Sequence, residues 1–191
     1  IGNTCGNVMT MLPYLGVKTF PLAMFDVSPQ GYQMKRDMKA YGAAVRFVRN
    51  TLEGGTTILR CVHKLDKDGN PTMGHKGSTA GKPWNGPSAR PARKYLSSKG
   101  GEVDSLVESM DFTPDVFFFD VAQAGHRVLA ERLHEKGTLV YFECDSDGHR
   151  IENEKSRRAA YRAFLRCVEA SDVVKMSGEY IQDLSFADAY Q

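Results

Sequence analysis

Residues 116–145 read VFFFDVAQAGHRVLAERLHEKGTLVYFECD. The stretch opens on VFFF, an apolar run with no polar alternation, which suits a strand covered on both faces of a sheet. The period then changes. In AGHRVLAERLHEKG (124–137), Val128, Leu129 and Leu133 recur at helical spacing and turn inward, and Gly137 supplies the stop. TLVYFECD (138–145) returns to a strand. Strand, helix and strand in this order predict a parallel pair joined by a crossover helix.

The pattern continues toward the C-terminus. Residues 154–170 predict an amphipathic helix with Ala160, Phe164, Leu165 and Val168 on its apolar face. Arg158, Arg162 and Arg166 line a second, solvated face. DVVKM (172–176) reads as the next strand, and SFADAY begins a further helix. In parallel sheets of this kind, ligands sit outside the carboxyl ends of the strands. That rule selects Asp120, Asp145, Asp147, Ser177 and Glu179.

Before this block, residues 103–110 look helical. Residues 74–101 hold Lys76, Lys82, Arg90, Arg93, Lys94 and Lys99, with no acid, three prolines and the sole tryptophan, Trp84. Their Gly, Pro and Ser density predicts a long loop, with one helical turn around Arg93–Leu96. It is either a solvated insertion or a contact surface. TTILRCVHKL (56–65) reads as a strand, DKDGN (66–70) as a tight turn, and a returning strand begins near Thr72. VRFVR (45–49) predicts a short strand. VKTFPLAMF (17–25) predicts a buried strand interrupted by Pro21. Between them, SPQG (28–31) is a turn, and Tyr32–Tyr41 a helix with Met34, Met38 and Tyr41 on one face, ended by Gly42. The chain opens on GNTCGN (2–7), a Gly/Asn loop feeding a helix that runs to Leu15. Pro13 should kink or shorten that helix, and Gly16 should stop it.

Composition bounds the class. The 191 residues suggest one domain, or one with a small appendage, and at 41% hydrophobic and 25% charged are ordinary for a globular protein. A net charge of +2 does not call for nucleic acid. Recognition of RNA by the 74–101 segment would want several aromatics, and only Trp84 and Tyr95 are there. No run of 18 apolar residues exists, so no membrane span is expected. Cys5, Cys61, Cys144 and Cys167 lack metal spacing and read as buried or half-buried thiols in a reducing cytoplasm.

The motifs narrow the chemistry. GNTCGN lacks the phosphate-loop lysine and is not G-x-G-x-x-G. Its asparagine amides suit sugar hydroxyls; the alternative is a glycine turn that caps a helix. CDSDGHR (144–150) starts like a calcium loop but lacks the bidentate Glu. His63, His75, His126, His134 and His149 show no H-E-x-x-H spacing and read as solvated or capping groups. No G-x-S-x-G occurs, so a hydrolase is not supported.

Taken in order, these pieces resemble the ribokinase-like sugar kinases, the PfkB carbohydrate kinase family. IGNTCGNVMTMLPYLG (1–16) is similar to the family's Gly-Gly-x-x-x-Asn loop and its helix ending in Leu-Gly, with Ile1 at the first glycine and one extra residue before Asn7. LAMFDVSPQGYQMKRDMKAYG (22–42) resembles the next strand, turn and helix, with Phe25 replacing the glycine before Asp26. Thr56, Thr57 and DKDGN resemble a Thr-rich strand and its hairpin. FFFD and ECDSD look like two strands with polar ends. ASDVVKMSGEY (170–180) resembles Ala-Asp-(apolar)₂-Lys-x-Asn-x-x-Glu, with Lys175 matching, Ser177 in the Asn place, and Tyr180 where the Glu would fall, Glu179 being one residue early.

The resemblance implies an α/β fold: three layers, a mostly parallel Rossmann-like sheet, and a small β lid formed by residues 45–75. Residues 103–191 would be the α/β core, and 74–101 a basic insertion extending the lid onto an anionic substrate or a second subunit, so that two copies pair through it. It implies transfer of a phosphoryl group from ATP, with Mg²⁺, to a hydroxyl of a sugar or sugar-like molecule. Gly2, Asn3 and Asn7 would hold the sugar, and Asp120 would take one of its hydroxyls. Lys175, Ser177 and Glu179 would act near the phosphates and, through water, the metal, with no direct metal ligand. The family's catalytic Asp opens a later helix in a Gly-x-Gly-Asp motif. These 191 residues contain none, so that Asp is expected beyond Gln191, a first strand is expected upstream, and the chain reads as one partial domain, inactive alone. Two other readings stay open: a non-catalytic relative acting as a binding or regulatory module, and an unrelated doubly wound domain. Ribose, fructose, keto-deoxy sugar acids and nucleosides are the candidate substrates.

Overall fold

The computed structural model describes residues 4–51, 59–61, 67–68, 78–80, 100–144 and 154–176. The fold is α/β, and the chain divides into two units, Ile1–Tyr95 and Leu96–Gln191.

In the first unit, helix α1 (Thr4–Met11) tightens into a 3₁₀ turn, Leu12–Leu15. Pro13 has no N–H to continue the α ladder, so the helix is shortened as its sequence predicts. Gly16 follows at φ 77°, a left-handed conformation that suits glycine, and its N–H bonds to the Pro13 carbonyl at 3.0 Å. Strand β1 covers only Met24–Asp26, not the whole of 17–25. Pro21 cannot donate to a ladder, and the stretch before β1 is instead pinned where Ala44 N–H reaches the Thr19 carbonyl. Helix α2 (Pro29–Ala40) starts inside the predicted SPQG turn. Ser28 is its N-cap, with Oγ accepting the Gly31 N–H at 3.0 Å, and Pro29 takes the first helical position. Met38 is buried, but Tyr41 lies past the helix end and is 44% exposed rather than inward.

A second correction falls on 45–49. Val45–Phe47 is a 3₁₀ turn, and strand β2 is Arg49–Thr51. β2 pairs parallel with β1, Met24 opposite Arg49 and Asp26 opposite Thr51, so β1–α2–β2 is a crossover unit. Its core is Met38, Ala43 and Val48, with Ala23, Phe25 and Val45 packed around them. A hairpin follows: β3 (Leu59–Cys61) pairs antiparallel with β4 (Ser78–Ala80), and Lys67–Asp68 lie in a turn between them. The strand at 78–80 corrects part of the loop predicted for 74–101. The returning strand at Thr72 and residues 81–99 lie outside the described residues.

In the second unit, helix α3 (Gly100–Glu108) precedes β5 (Val116–Phe119), α4 (Ala124–His134), β6 (Leu139–Cys144), α5 (Glu154–Glu169) and β7 (Val173–Met176). The three strands form one parallel sheet in the order β5-β6-β7, with Phe119 opposite Phe142 and Cys144 opposite Met176. Phe117, Phe119, Val140, Phe142, Cys144, Val174 and Met176 share a core with Ala130 of α4 and Phe164 and Cys167 of α5. These strand residues alternate along their strands, so both helices pack on one sheet face. The opposite face carries the Phe118–Tyr141 ring pair and an exposed Val116. On α4, Leu129 and Leu133 are buried as predicted, beside Ala130, and Val128 is half-buried. On α5, Leu165 is 38% exposed and Cys167 takes the inward place predicted for it. After α4, Gly137 turns the chain at φ 88°, and buried Thr138 donates its hydroxyl to the Pro114 carbonyl at 2.8 Å. Among the described residues, no helix is long and apolar enough to cross a membrane.

Candidate functional site

Because β5, β6 and β7 run parallel, they end at one edge, at Phe119, Cys144 and Met176. Asp120 is the first residue past β5 and is 8% exposed. The turn that follows it is held from α4. The Val121 carbonyl accepts the Gln123 N–H at 2.9 Å and stands 2.9 Å from His126 Nδ1. Gln123 is the N-cap of α4, in extended conformation and without a side-chain capping bond. A buried carboxylate at a strand end, beside a turn whose Val121 carbonyl is held by two bonds, can accept a hydrogen bond from a hydroxyl at a defined place.

Lys175 lies one residue before the end of β7, directly opposite Glu143 of β6. Its Nζ bonds Glu143 Oε1 at 2.6 Å, with the ammonium side chain 62% exposed and the carboxylate side chain mostly covered. The predicted phosphate-side lysine therefore comes with a carboxylate partner. Sequence reading missed Glu143, although its place between Phe142 and Cys144 in a period-two strand sets it on the other face from those two core residues.

Asn7 is exposed in the first turns of α1, where its carbonyl accepts the Thr10 hydroxyl at 3.1 Å. Gly2, Asn3, Asp145, Asp147, Ser177 and Glu179 lie outside the described residues. Among the described residues, no group of three or more His, Cys, Asp or Glu side chains could hold a metal ion. Glu143, the carboxylate nearest this lysine, is bonded to it. Ser177 and Glu179, the residues expected nearest a phosphate-bound metal, lie outside the described residues.

A cleft of about 530 Å³ lies elsewhere, lined by Arg127, Glu131, His134, Arg166, Glu169 and Asp172. It gathers the C-terminal ends of α4 and α5 with the start of β7, so it sits at the amino edge of the sheet. There, Asp172 Oδ2 accepts the Val140 N–H at 2.8 Å and lies 3.3 Å from His134 Nδ1. The backbone N–H of Val140, and then His134, hold this carboxyl below its ordinary range. Asp172 thus serves the β6–β7 junction.

No protein-family model matches the chain, and no curated protein does. Among solved structures, the chain is similar to an uncharacterized sugar kinase from Pyrococcus horikoshii, crystallised in complex with ATP. The TM-score is 0.63 at 15% sequence identity, over 98% of this chain and 57% of that one. The chain thus spans just over half the length of that kinase. The likeness is one of fold.

Proposed function

We propose that the protein transfers a phosphoryl group from ATP to a hydroxyl of a sugar or sugar-like small molecule, as a member of the PfkB carbohydrate kinases. The observation that carries this reading is buried Asp120 at the carboxyl edge of a parallel sheet, in a fold shared with a sugar kinase. Phosphoryl transfer asks a protein mainly for positioning and charge neutralisation. In this reading Gly2, Asn3 and Asn7 hold the sugar, and Asp120 accepts one of its hydroxyls. Lys175, Ser177 and Glu179 stand toward the phosphates, with Mg²⁺ arriving on ATP. The lid and the basic 74–101 segment cover an anionic substrate or pair two copies, and the protein works in the cytoplasm. These 191 residues hold no Gly-x-Gly-Asp, so by themselves they bind sugar without turning it over.

A second reading, a non-catalytic binding module, draws on one observation: the phosphate-side lysine is bonded to Glu143. Calorimetry of the 191-residue chain with D-ribose, D-fructose, 2-keto-3-deoxygluconate and adenosine tests the sugar site. One of them should bind, and Asp120→Ala should weaken it by about tenfold or more, the worth of one buried hydrogen bond to a charged group. Equal binding by the wild-type and variant chains would remove Asp120 from the site.

A further inference from the structure

His126 has no role in the reading above, yet it touches both neighbours of Asp120. It stands in the first turn of α4, with Nδ1 2.9 Å from the Val121 carbonyl oxygen. A carbonyl only accepts, so Nδ1 carries the hydrogen and donates it. The same oxygen accepts the Gln123 N–H, which closes a tight turn over Ala122. The imidazole also packs on the ring of Phe119, the last residue of β5, with centroids 6.0 Å apart. One side chain thus joins the strand end, the turn after Asp120 and the start of the helix. Gln123, at the N-cap, adds no side-chain capping bond of its own.

We infer that His126 is a positioning residue for the sugar site, fixing the backbone on both sides of Asp120 so that its carboxylate meets the sugar hydroxyl at one place. This rests on the sugar reading of Asp120. Loops that carry a binding group gain affinity when their geometry is set before the ligand arrives. Two contacts do this here, a hydrogen bond to Val121 and a ring contact with Phe119, and they can be separated. His126→Phe keeps a ring against Phe119 and removes the donor. His126→Asn keeps a donor near the place of Nδ1 and removes the ring.

The test uses the 191-residue chain, the four sugars named above, and amide hydrogen exchange at Gln123. His126→Phe is expected to speed exchange of the Gln123 amide and to weaken the bound sugar by about tenfold, one hydrogen bond's worth. His126→Asn, which gives up only the Phe119 contact, is expected to lose clearly less of both exchange protection and affinity than His126→Phe. The inference is overturned if His126→Phe binds that sugar as tightly as the wild type, or if His126→Asn loses as much affinity as His126→Phe. Should His126→Phe fail to fold, His126→Asn decides alone: a loss clearly smaller than that of Asp120→Ala supports the inference, and one as large overturns it. If Asp120→Ala itself changes the binding of no sugar, the sugar reading fails and takes this inference with it. Failure of the His126 variants alone leaves that reading standing.

Discussion

Phe142 is fully buried at the centre of the second unit, stacked on Phe119 at 4.8 Å and tilted against Phe164 at 5.9 Å. Truncation there removes a large buried surface and leaves a cavity. Phe142→Ala should cost about 3–5 kcal/mol in urea unfolding, and a loss under about 1 kcal/mol would deny it that central place. Cys167 is buried beside it, and burial pushes its thiol up to about 11 from an ordinary 9.0. A pKa raised by folding gives stability that is complete below the unfolded value and fades as pH climbs toward the folded one. Stability should therefore fall between pH 9 and pH 11 by about 2 kcal/mol, one unit being worth roughly 1.4 kcal/mol. In Cys167→Ala this loss should flatten, and an unchanged alkaline slope would contradict the assignment. The buried face of α5 was only partly legible at this scale. Phe164 declared itself as an aromatic at helical spacing and Cys167 is buried as a small hydrophobe, whereas Leu165, placed on the same face by spacing, is exposed.

At the scale of elements, the β6–β7 junction has a feature that lies off the hydrophobic pattern. Asp172 gives its N–H to the Val140 carbonyl at 2.9 Å and takes the Val140 N–H on its carboxylate, closing a reciprocal pair just before β7. Its carboxyl is lowered by that N–H, so the stability it contributes is present above the ordinary value of 3.8 and fades as pH falls through the lowered one. Asp172→Asn should lower the melting temperature at neutral pH and lose part of the wild type's acid-side decline. Parallel melting curves across the acid range would contradict this. Gly137, at φ 88° with open space around it, makes a separate point about the α4–β6 link. Gly137→Ala should cost about 1–2 kcal/mol by backbone strain alone, and a neutral result would show that the turn can relax. The elements of the second unit could be read from sequence because the period switches cleanly from strand to helix and back. Those of the first unit were harder. Pro21 kept the first part of a strand suggested by its apolar neighbours out of the sheet, which begins only at Met24. Val45–Phe47 tightened into a 3₁₀ turn despite strand-like alternation. Ser78–Ala80 is a strand only through its partner at 59–61, a long-range pairing that no local pattern announces.

At the scale of the whole molecule, the parallel sheet and its crossover helices were in the sequence, and so was the rule that pointed to Asp120 at a strand end. What surrounds Asp120 was not. The bond from His126 to Val121 and the pairing of Lys175 with Glu143 depend on register and helix placement, which one-dimensional spacing does not set. The sugar-kinase likeness extends over 98% of the chain, and Asn7 and Asp120 are the described members of the proposed sugar contacts. The most direct measurement is sugar-dependent ADP release by the protein over its full natural length, in a coupled assay with ATP and Mg²⁺ across ribose, fructose, keto-deoxy sugar acids and nucleosides. The expected result is that one of them raises ADP release at least ~10-fold over the sugar-free rate, about 1.4 kcal/mol of barrier, with phosphorylated sugar formed in equal amount. ADP release that no member of the panel alters, or that yields no phosphorylated product, would contradict a sugar kinase.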